Sequence, residues 1–117
     1  MSKLDFVIEE IVSANRILAN EGVVDSFGHV SARHPDNPQH YLLSRARAPE
    51  RIERDDIVEY QLDGTAIDER GRAPYLERFI HGAIYAARPD VQAVVHSHTE
   101  SVIPFADRKS TRLNSSH

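Results

Sequence analysis

The first apolar pattern along the chain is that of an amphipathic helix from Leu4 to Asn20. Leucine, valine, isoleucine and alanine recur there every three or four positions, which places them on one face of a helix. Ser2, three residues before Asp5, resembles the start of a capping box, and Gly22 suits the position after the last helical residue. The segment therefore predicts a helix that buries one side against the rest of the domain.

After this helix, alternation of apolar and polar residues predicts strands. The predicted strands are Val23–Arg33, Tyr41–Leu43, Ile57–Leu62 and Thr65–Ile67. Asp63-Gly64 is a two-residue turn signal between the last two strands. The charged segment from Ser44 to Asp56 is expected to be a loop.

A second apolar stripe predicts a helix from Leu76 to Ala87, which Pro89 ends because proline cannot continue the hydrogen-bond ladder. Val91 to Val95 is an apolar run suited to a buried strand, and it leads directly into His96-Ser97-His98. A chain of 117 residues is long enough for one domain with one hydrophobic core and too short for two.

Composition and charge narrow the classes of function. The net charge is −4, and lysine and arginine are scattered among acids, so the basic stripe of a nucleic-acid-binding protein is missing. No apolar run approaches the ~18 residues of a membrane span, and the N-terminal residues do not form a signal peptide. The lack of cysteine excludes disulfides, thiolate metal sites and a cysteine nucleophile, and a cytoplasmic location is expected. The seven histidines are the informative residues.

The last eleven residues, Asp107 to His117, show no apolar periodicity. They resemble, residue for residue, one reading frame of a widely used sequencing-library adapter. We therefore interpret residues 107–117 as a non-native tail and assign the domain to residues 1–106; the alternative is a natural polar tail. On this interpretation the natural protein continues past Ala106.

The His-x-His pair after the last predicted strand is the central chemical feature. Side chains alternate along a strand, so His96 and His98 are expected on one face with their Cα atoms about 6.5–7 Å apart. Two imidazoles at this spacing could bind one metal ion, and a pair of surface or packing histidines is the alternative. Glu77 and His81 share one face of the preceding helix. Glu77 would complete the His₂Glu ligand set of a catalytic zinc, whereas for His81 an exposed helix pair with Glu77 is the simpler interpretation.

Several segments together resemble the metal-binding signature of the class II aldolase/adducin family. They are Glu77–Tyr85 (ERFIHGAIY), Arg88–Val91 (RPDV) and Ala93–His98 (AVVHSH). Phe27–Arg33 (FGHVSAR) is similar to the Gly-Asn-x-Ser-x-Arg segment of that family, and the motifs have the family's spacing from about Ile8 to Ala106. The resemblance implies an α/β/α three-layer fold, truncated here at its C-terminal side, and usually a homotetramer with sites between subunits.

The resemblance also implies a divalent metal, commonly zinc, with manganese or cobalt as alternatives. Glu77, His96 and His98 match the family's ligands, and Glu77 also matches a residue credited with general acid or base catalysis. A further histidine ligand and a catalytic tyrosine from a neighbouring subunit lie downstream in the family, and no residue of this sequence matches them.

Departures from the sugar-phosphate aldolases of the family favour a carboxylated substrate. His29 stands where the family's glycine loop has asparagine. The hydroxyls and glycines that would surround a phosphate are mostly missing from Leu43–Pro49 and Ala73–Tyr75. Arg45 and Arg47 suit bidentate binding of a carboxylate, the alternative being two solvated surface charges. The candidate substrate-binding residues are His29, Ser44, Arg45 and Arg47.

The sequence therefore predicts a metal-dependent C–C lyase that acts by aldol cleavage or by decarboxylation. The sequence resembles those of family branches that decarboxylate dihydroxy-aromatic acids. The alternatives are an adducin-like interaction module without activity, which the intact Glu77, His96 and His98 argue against, and an inactive truncated fragment.

Overall fold

The computed structural model of the protein describes residues 2–21, 29–96 and 102–106. The helices are α1 (Lys3–Asn20) and α2 (Arg78–Ala87), and the strands are β1 (His29–Arg33), β2 (His40–Ser44), β3 (Ile57–Gln61), β4 (Val91–His96) and β5 (Val102–Ala106). The first part of the predicted strand at 23–33, the predicted ligand His98 and the predicted tail 107–117 lie outside the described residues.

The strands form one antiparallel sheet in the order β3-β2-β1-β4-β5. The central strand β1 pairs with β2 on one side and with β4 on the other. This register sets His29 directly opposite His96 and Ser31 directly opposite Val94. Two histidines that are 67 positions apart in the chain thus become neighbours on adjacent strands.

One helix covers each face of the sheet, which confirms the three-layer α/β/α arrangement. On the α1 face, Ile11 and Val12 pack with Leu42 and Ile57. On the α2 face, Tyr85 packs in a cluster of buried side chains from three strands. The strand members of that cluster are Tyr41, Leu43, Val58, Tyr60, Val91 and Val94. The alternation of side chains along β1 therefore sends its residues to two different cores.

Helix α1 begins as its sequence predicts. The Ser2 hydroxyl accepts a hydrogen bond from the Asp5 backbone N–H, and the Asp5 side chain reaches back to Ser2, which completes a capping box. Neither α1 nor any other helix in the described part of the chain has the length and apolarity of a membrane-spanning helix.

The turn after β3 is where Asp63-Gly64 predicts it. Gly64 has a φ of 92°, a left-handed conformation that favours glycine, and its N–H donates to the Gln61 carbonyl at 2.9 Å. The predicted partner strand at 65–67 is only a single bridge between Tyr60 and Ala66. The charged segment before β3, predicted to be a loop, contains two short 3₁₀ turns, Pro49–Arg51 and Arg54–Asp56.

Gly82 allows α2 to lie very close to the end of the β3 hairpin. A Cβ atom at this position would be 2.1 Å from the Leu62 carbonyl oxygen and 3.3 Å from a ring carbon of Tyr41. The nearest atoms are those of the Leu62 backbone and not the end of a flexible side chain, so they cannot easily move aside. The close approach holds the neighbouring residue His81 against the sheet, where it is completely buried.

Gly82→Ala is expected to destabilise the fold by about 1–3 kcal/mol because the added methyl group overlaps the Leu62 carbonyl. Helix propensity alone would make alanine more stable than glycine by about 1 kcal/mol. The sign of the change in unfolding free energy therefore shows whether close packing or propensity dominates. Urea unfolding of the purified variant measures it. The exposed neighbour offers the control: Ala83→Gly should report only the propensity difference. A neutral or stabilising Gly82→Ala would contradict the close packing.

Candidate functional site

Three histidines from three elements meet on the α2 face of the sheet. His29 begins β1, His96 ends β4, and His81 lies in α2. One ring nitrogen of each lies within 4.8 Å of the others, and this is the group of potential metal ligands found in the described part of the chain. The ring of His29 is 4.8 Å from that of His81 and 4.9 Å from that of His96. His29 and His81 are completely buried, and His96 is partly buried.

A chain of hydrogen bonds runs away from His29 into the core. His29 Nδ1 is 2.9 Å from His81 Nε2, His81 Nδ1 is 2.6 Å from Ser31 Oγ, and Ser31 Oγ is 2.8 Å from the Tyr85 hydroxyl. His29 and Ser31 are alternate residues of β1 and share one face of the sheet. His81 and Tyr85 are four residues apart on α2 and share one face of the helix. Two regular periodicities thus bring four polar side chains into one line.

Arg33, the next residue on the same face of β1, fixes this end of the sheet. Its guanidinium donates to the carbonyl oxygens of Pro38, Tyr85, Arg88 and Val91 at 2.5–3.0 Å. It also lies 4.9 Å from the centre of the Tyr85 ring. Arg33 therefore ties β1 to the end of α2 and to the start of β4, which is a structural role.

Tyr75 connects the histidines to the arginine-containing segment after β2. Its ring centre is 4.2 Å from that of His29, and its hydroxyl donates to the Arg47 carbonyl at 2.5 Å. Arg45 Nε lies 3.3 Å and Arg47 Nη1 lies 2.9 Å from the carboxylate of Asp56, which is buried. Both arginines thus form an ion pair with Asp56 and keep a third or more of each side chain exposed. Their binding of substrate stays a prediction.

Of the metal ligands predicted from the sequence, the described residues bring only one into the histidine group. His96 belongs to the histidine group, and His98 lies outside the described residues. Glu77, half-buried at the N-terminus of α2, is not a member of the group; its backbone carbonyl accepts from the His81 N–H at 3.4 Å. Its role as a metal ligand stays a prediction.

The interpretation of His81 as part of an exposed pair is wrong. His81 has no exposed surface, and both of its ring nitrogens are within hydrogen-bonding distance of partners. The sequence did contain a sign that His81 is buried, because His81 lies four residues before Tyr85 within an apolar stripe. His29 and Ser44, both predicted to bind substrate, are completely buried, and the Ser44 hydroxyl has no hydrogen-bond partner among the described residues.

The chemistry of the histidine group fits a divalent metal such as zinc, for which neutral imidazole is a common ligand. His96 Nδ1 and His29 Nε2 are buried and have no hydrogen-bond partner in the described structure. His81 differs because both of its nitrogens are already engaged. His96 and His29 are therefore the members that have ring nitrogens still available for a ligand.

Burial keeps the two inner imidazoles uncharged at neutral pH. It lowers the pKa of His29 to about 3, with the nearby His96 as a second cause. Burial also lowers the pKa of His81 well below its usual value, followed by the effects of His29 and His96. Each of these rings therefore has one N–H donor and one lone pair to offer.

Comparison with known proteins agrees with this fold. The sequence profile of the Class II Aldolase and Adducin N-terminal domain matches residues 9–116, a range that includes most of the segment predicted to be a non-native tail. Decarboxylase tropJ of Talaromyces stipitatus is 39% identical over 100 residues, which are 84% of this chain and 38% of that protein. The 3,4-dihydroxyphthalate decarboxylase of Arthrobacter keyseri is 35% identical over 105 residues, covering 81% of this chain and 41% of that protein.

Solved structures show the same relationship. The structure of L-fuculose 1-phosphate aldolase from Glaciozyma antarctica PI12 superposes with a TM-score of 0.74 at 34% identity, covering 82% of this chain and 41% of that one. The chain thus spans about two-fifths of the length of these relatives.

The folded protein should lose stability as the pH falls below about 6.5. The unfolded chain binds protons at His29 and His81 near the ordinary pKa of about 6.5, whereas the folded state resists them. Each buried imidazole then contributes a slope of about 1.4 kcal/mol per pH unit, which for His29 continues towards pH 3. Urea unfolding between pH 7.5 and 5, with a chelator present, measures this slope.

His29→Gln should flatten this pH dependence because it removes one of the two titrating groups. Tyr60→Phe is the control, since it removes a buried hydroxyl from the same core but no group that titrates below pH 7. An unchanged slope in His29→Gln would show that the folded state does not exclude the proton from this ring.

Proposed function

The chain belongs to the class II aldolase and adducin family, and from this premise we propose that the protein containing it is a metal-dependent C–C lyase. The proposed substrate is a small hydroxy-carbonyl acid or dihydroxy-aromatic acid. The observation that supports this best is the group of His29, His81 and His96, in which His29 and His96 each keep a buried ring nitrogen without a partner among the described residues, in a member of an enzyme family. The cytoplasmic location and the homotetramer expected from the sequence belong to the same proposal.

Glu77, His96 and His98 are the proposed ligands of the metal, with zinc as the preferred ion and manganese or cobalt as alternatives. His96 supports this assignment, because one of its ring nitrogens is buried without a partner among the described residues. When bound, such an ion acts as a Lewis acid that stabilises negative charge on a substrate oxygen as the C–C bond breaks. The protein's part is to hold the substrate's oxygens in place and to move protons.

The proposed proton carrier is Glu77. It lies at the start of α2, four residues before His81, and is half-buried. A carboxylate can give or accept a proton at one oxygen while the other oxygen stays in place. In this proposal Glu77 would help to hold the metal and would also carry a proton to or from the substrate.

An acid rather than a phosphate is the proposed anionic group of the substrate. Arg45 and Arg47 are held by the buried carboxylate of Asp56, which orients their guanidinium groups and leaves both side chains more than a third exposed. Tyr75 joins this segment to His29 through its ring and its hydroxyl. A planar guanidinium with several N–H donors suits the two oxygens of a carboxylate.

Aldol cleavage of a sugar phosphate is the second candidate. Its support is the similarity to L-fuculose 1-phosphate aldolase at 34% identity. The residues Leu43–Pro49 argue against it, since they contain neither glycine nor threonine for a phosphate loop. Turnover of a substrate panel distinguishes the two: dihydroxybenzoate-type and hydroxy-keto acids on one side, sugar phosphates on the other. Efficient turnover of sugar phosphates alone would exclude the carboxylate proposal.

Activity should disappear with a chelator and return with added divalent metal. His96→Ala should lose metal and activity together, and metal analysis of the purified variant by mass spectrometry checks both. His40→Ala is the matched control because His40 is a strand histidine that pairs with Glu59, outside the cluster.

Glu77→Gln should keep part of the metal and lose much of the rate, since an amide does not carry a proton in the same way. Full activity of metal-free enzyme would exclude the proposal.

Arg45→Ala and Arg47→Ala should each raise KM for an acidic substrate about tenfold, the loss of one charge-assisted hydrogen bond, and leave metal content unchanged. Each single variant keeps one arginine paired with Asp56, so the buried carboxylate retains a partner. Arg54→Ala is the control, because Arg54 pairs with Asp5 and Glu9 at the end of α1. Steady-state kinetics equal to those of Arg54→Ala would show that the two arginines act only on structure.

A further inference from the structure

Tyr75 lies between the two parts of the candidate site. Its ring centre is 4.2 Å from that of His29, and its hydroxyl donates to the Arg47 carbonyl at 2.5 Å. The same hydroxyl accepts from the Arg47 backbone N–H at 3.3 Å. A substrate that reaches from the histidines to the partly exposed arginine side chains therefore extends past Tyr75.

The hydroxyl of Tyr75 is not available for substrate or for proton transfer. Burial raises the pKa of this hydroxyl, and the nearby carboxylates of Glu77 and Asp56 raise the pKa further. The hydroxyl therefore keeps its proton at neutral pH, and that proton is already donated to the Arg47 carbonyl. Since the oxygen also accepts from the Arg47 N–H, the hydroxyl acts as donor and acceptor within the protein. The ring is the part of Tyr75 that is left to act on a substrate.

The ring of Tyr75 is held firmly but is not enclosed. It packs against the buried cluster on the α2 face, and the plane of the His29 ring lies against it at an angle of 35°. Tyr75 is nevertheless only half-buried, so part of its side chain stays accessible. Aromatic rings that meet offset-stacked or edge to face attract each other beyond the effect of the area that they bury. An aliphatic acid of the same size gains only the effect of buried area.

We infer that Tyr75 determines specificity in this site, because its ring packs against the ring of a dihydroxy-aromatic acid and favours that acid over an aliphatic hydroxy-keto acid. This inference deepens the proposed function and rests on it for the two ends of the substrate. The adjacent hydroxyls would lie towards His96 and the proposed metal, and the carboxylate towards Arg45 and Arg47. A flat ring keeps the hydroxyls and the carboxylate at a constant separation, which suits binding groups that are themselves held in place.

A purely structural role for Tyr75 leads to a different expectation. Through its contacts with Arg47, Tyr75 also supports the segment that carries both arginines. Loss of that support alone would weaken the binding of every acid by the same factor, since every acid uses the arginines. Loss of contact between the rings weakens the binding of aromatic acids only. A comparison of two acids therefore separates the two roles.

Equilibrium binding of two matched acids to the zinc-loaded protein that contains this chain makes this comparison. Protocatechuate has a carboxylate and two adjacent hydroxyls on an aromatic ring, and dihydroxycyclohexanecarboxylate has the same groups on a saturated ring. Tyr75→Leu keeps an apolar side chain against the core. It should weaken the binding of protocatechuate about fivefold more than the binding of the saturated acid. Tyr75→Phe keeps the ring and should leave the ratio of the two dissociation constants as in the wild type.

Equal weakening of both acids in Tyr75→Leu overturns the inference, and so does a changed ratio in Tyr75→Phe. NMR of the wild-type protein gives a second measurement, which does not depend on how well Tyr75→Leu folds. With tyrosine selectively labelled, the Tyr75 signals are those missing from Tyr75→Phe. Nuclear Overhauser effects are expected between the ring protons of Tyr75 and those of bound protocatechuate. The lack of these effects, or of any binding of protocatechuate, overturns the inference.

The binding comparison and the activity experiments can fail separately. Turnover of hydroxy-keto acids without binding of protocatechuate would overturn the role of Tyr75 and leave the metal-dependent lyase in place. Binding of protocatechuate that depends on the Tyr75 ring, in a protein that is fully active without metal, would exclude the proposed lyase and leave the role of Tyr75 in place.

Discussion

The need to pair buried polar groups on one face of β1 shapes the centre of this protein. His29, Ser31 and Arg33 all point from β1 towards α2, and all three are nearly or completely buried. A sheet face with such residues is stable only if another element supplies partners, since unpaired polar groups are costly in a core. Helix α2 supplies them through His81, Tyr85 and the carbonyl groups at its end.

The close approach of α2 to the sheet follows from the same need. Hydrogen bonds of 2.6–2.9 Å between helix and strand side chains require the two backbones to lie near each other. Gly82 permits this, because its missing side chain lets α2 rest against the Leu62 carbonyl. Gly82 thus connects the packing of the fold with the geometry of the site.

The candidate site combines a rigid part with an exposed part. The histidines lie on regular elements and are locked by neighbouring rings, which suits groups that must be held in a fixed orientation. Arg45 and Arg47 lie beyond the end of β2 in an irregular segment, where Asp56 and Tyr75 orient them while leaving them partly accessible. In this arrangement the histidines hold the proposed metal and proton chemistry in a fixed geometry. The more accessible Arg45 and Arg47 are left to recognise the acid.

Much of the architecture could be predicted from the sequence, because helices and strands follow local periodicity. The amphipathic spacing of α1, the capping box at Ser2 and the turn at Asp63-Gly64 depend on residues close together in the chain. The resemblance in the Glu77–Tyr85 and Ala93–His98 motifs identified the family and the three-layer fold, which the family match and the solved relatives show.

Only the tertiary structure decided which polar side chains meet. The sequence grouped histidines by their spacing in the chain and assigned His81 to an exposed helix pair. The pairing of β1 with β4 instead set His29 against His96, and the packing of α2 buried His81 between His29 and Ser31. Strand register and helix placement are properties of contacts between distant residues, so local patterns predicted the elements but not the hydrogen bonds between them.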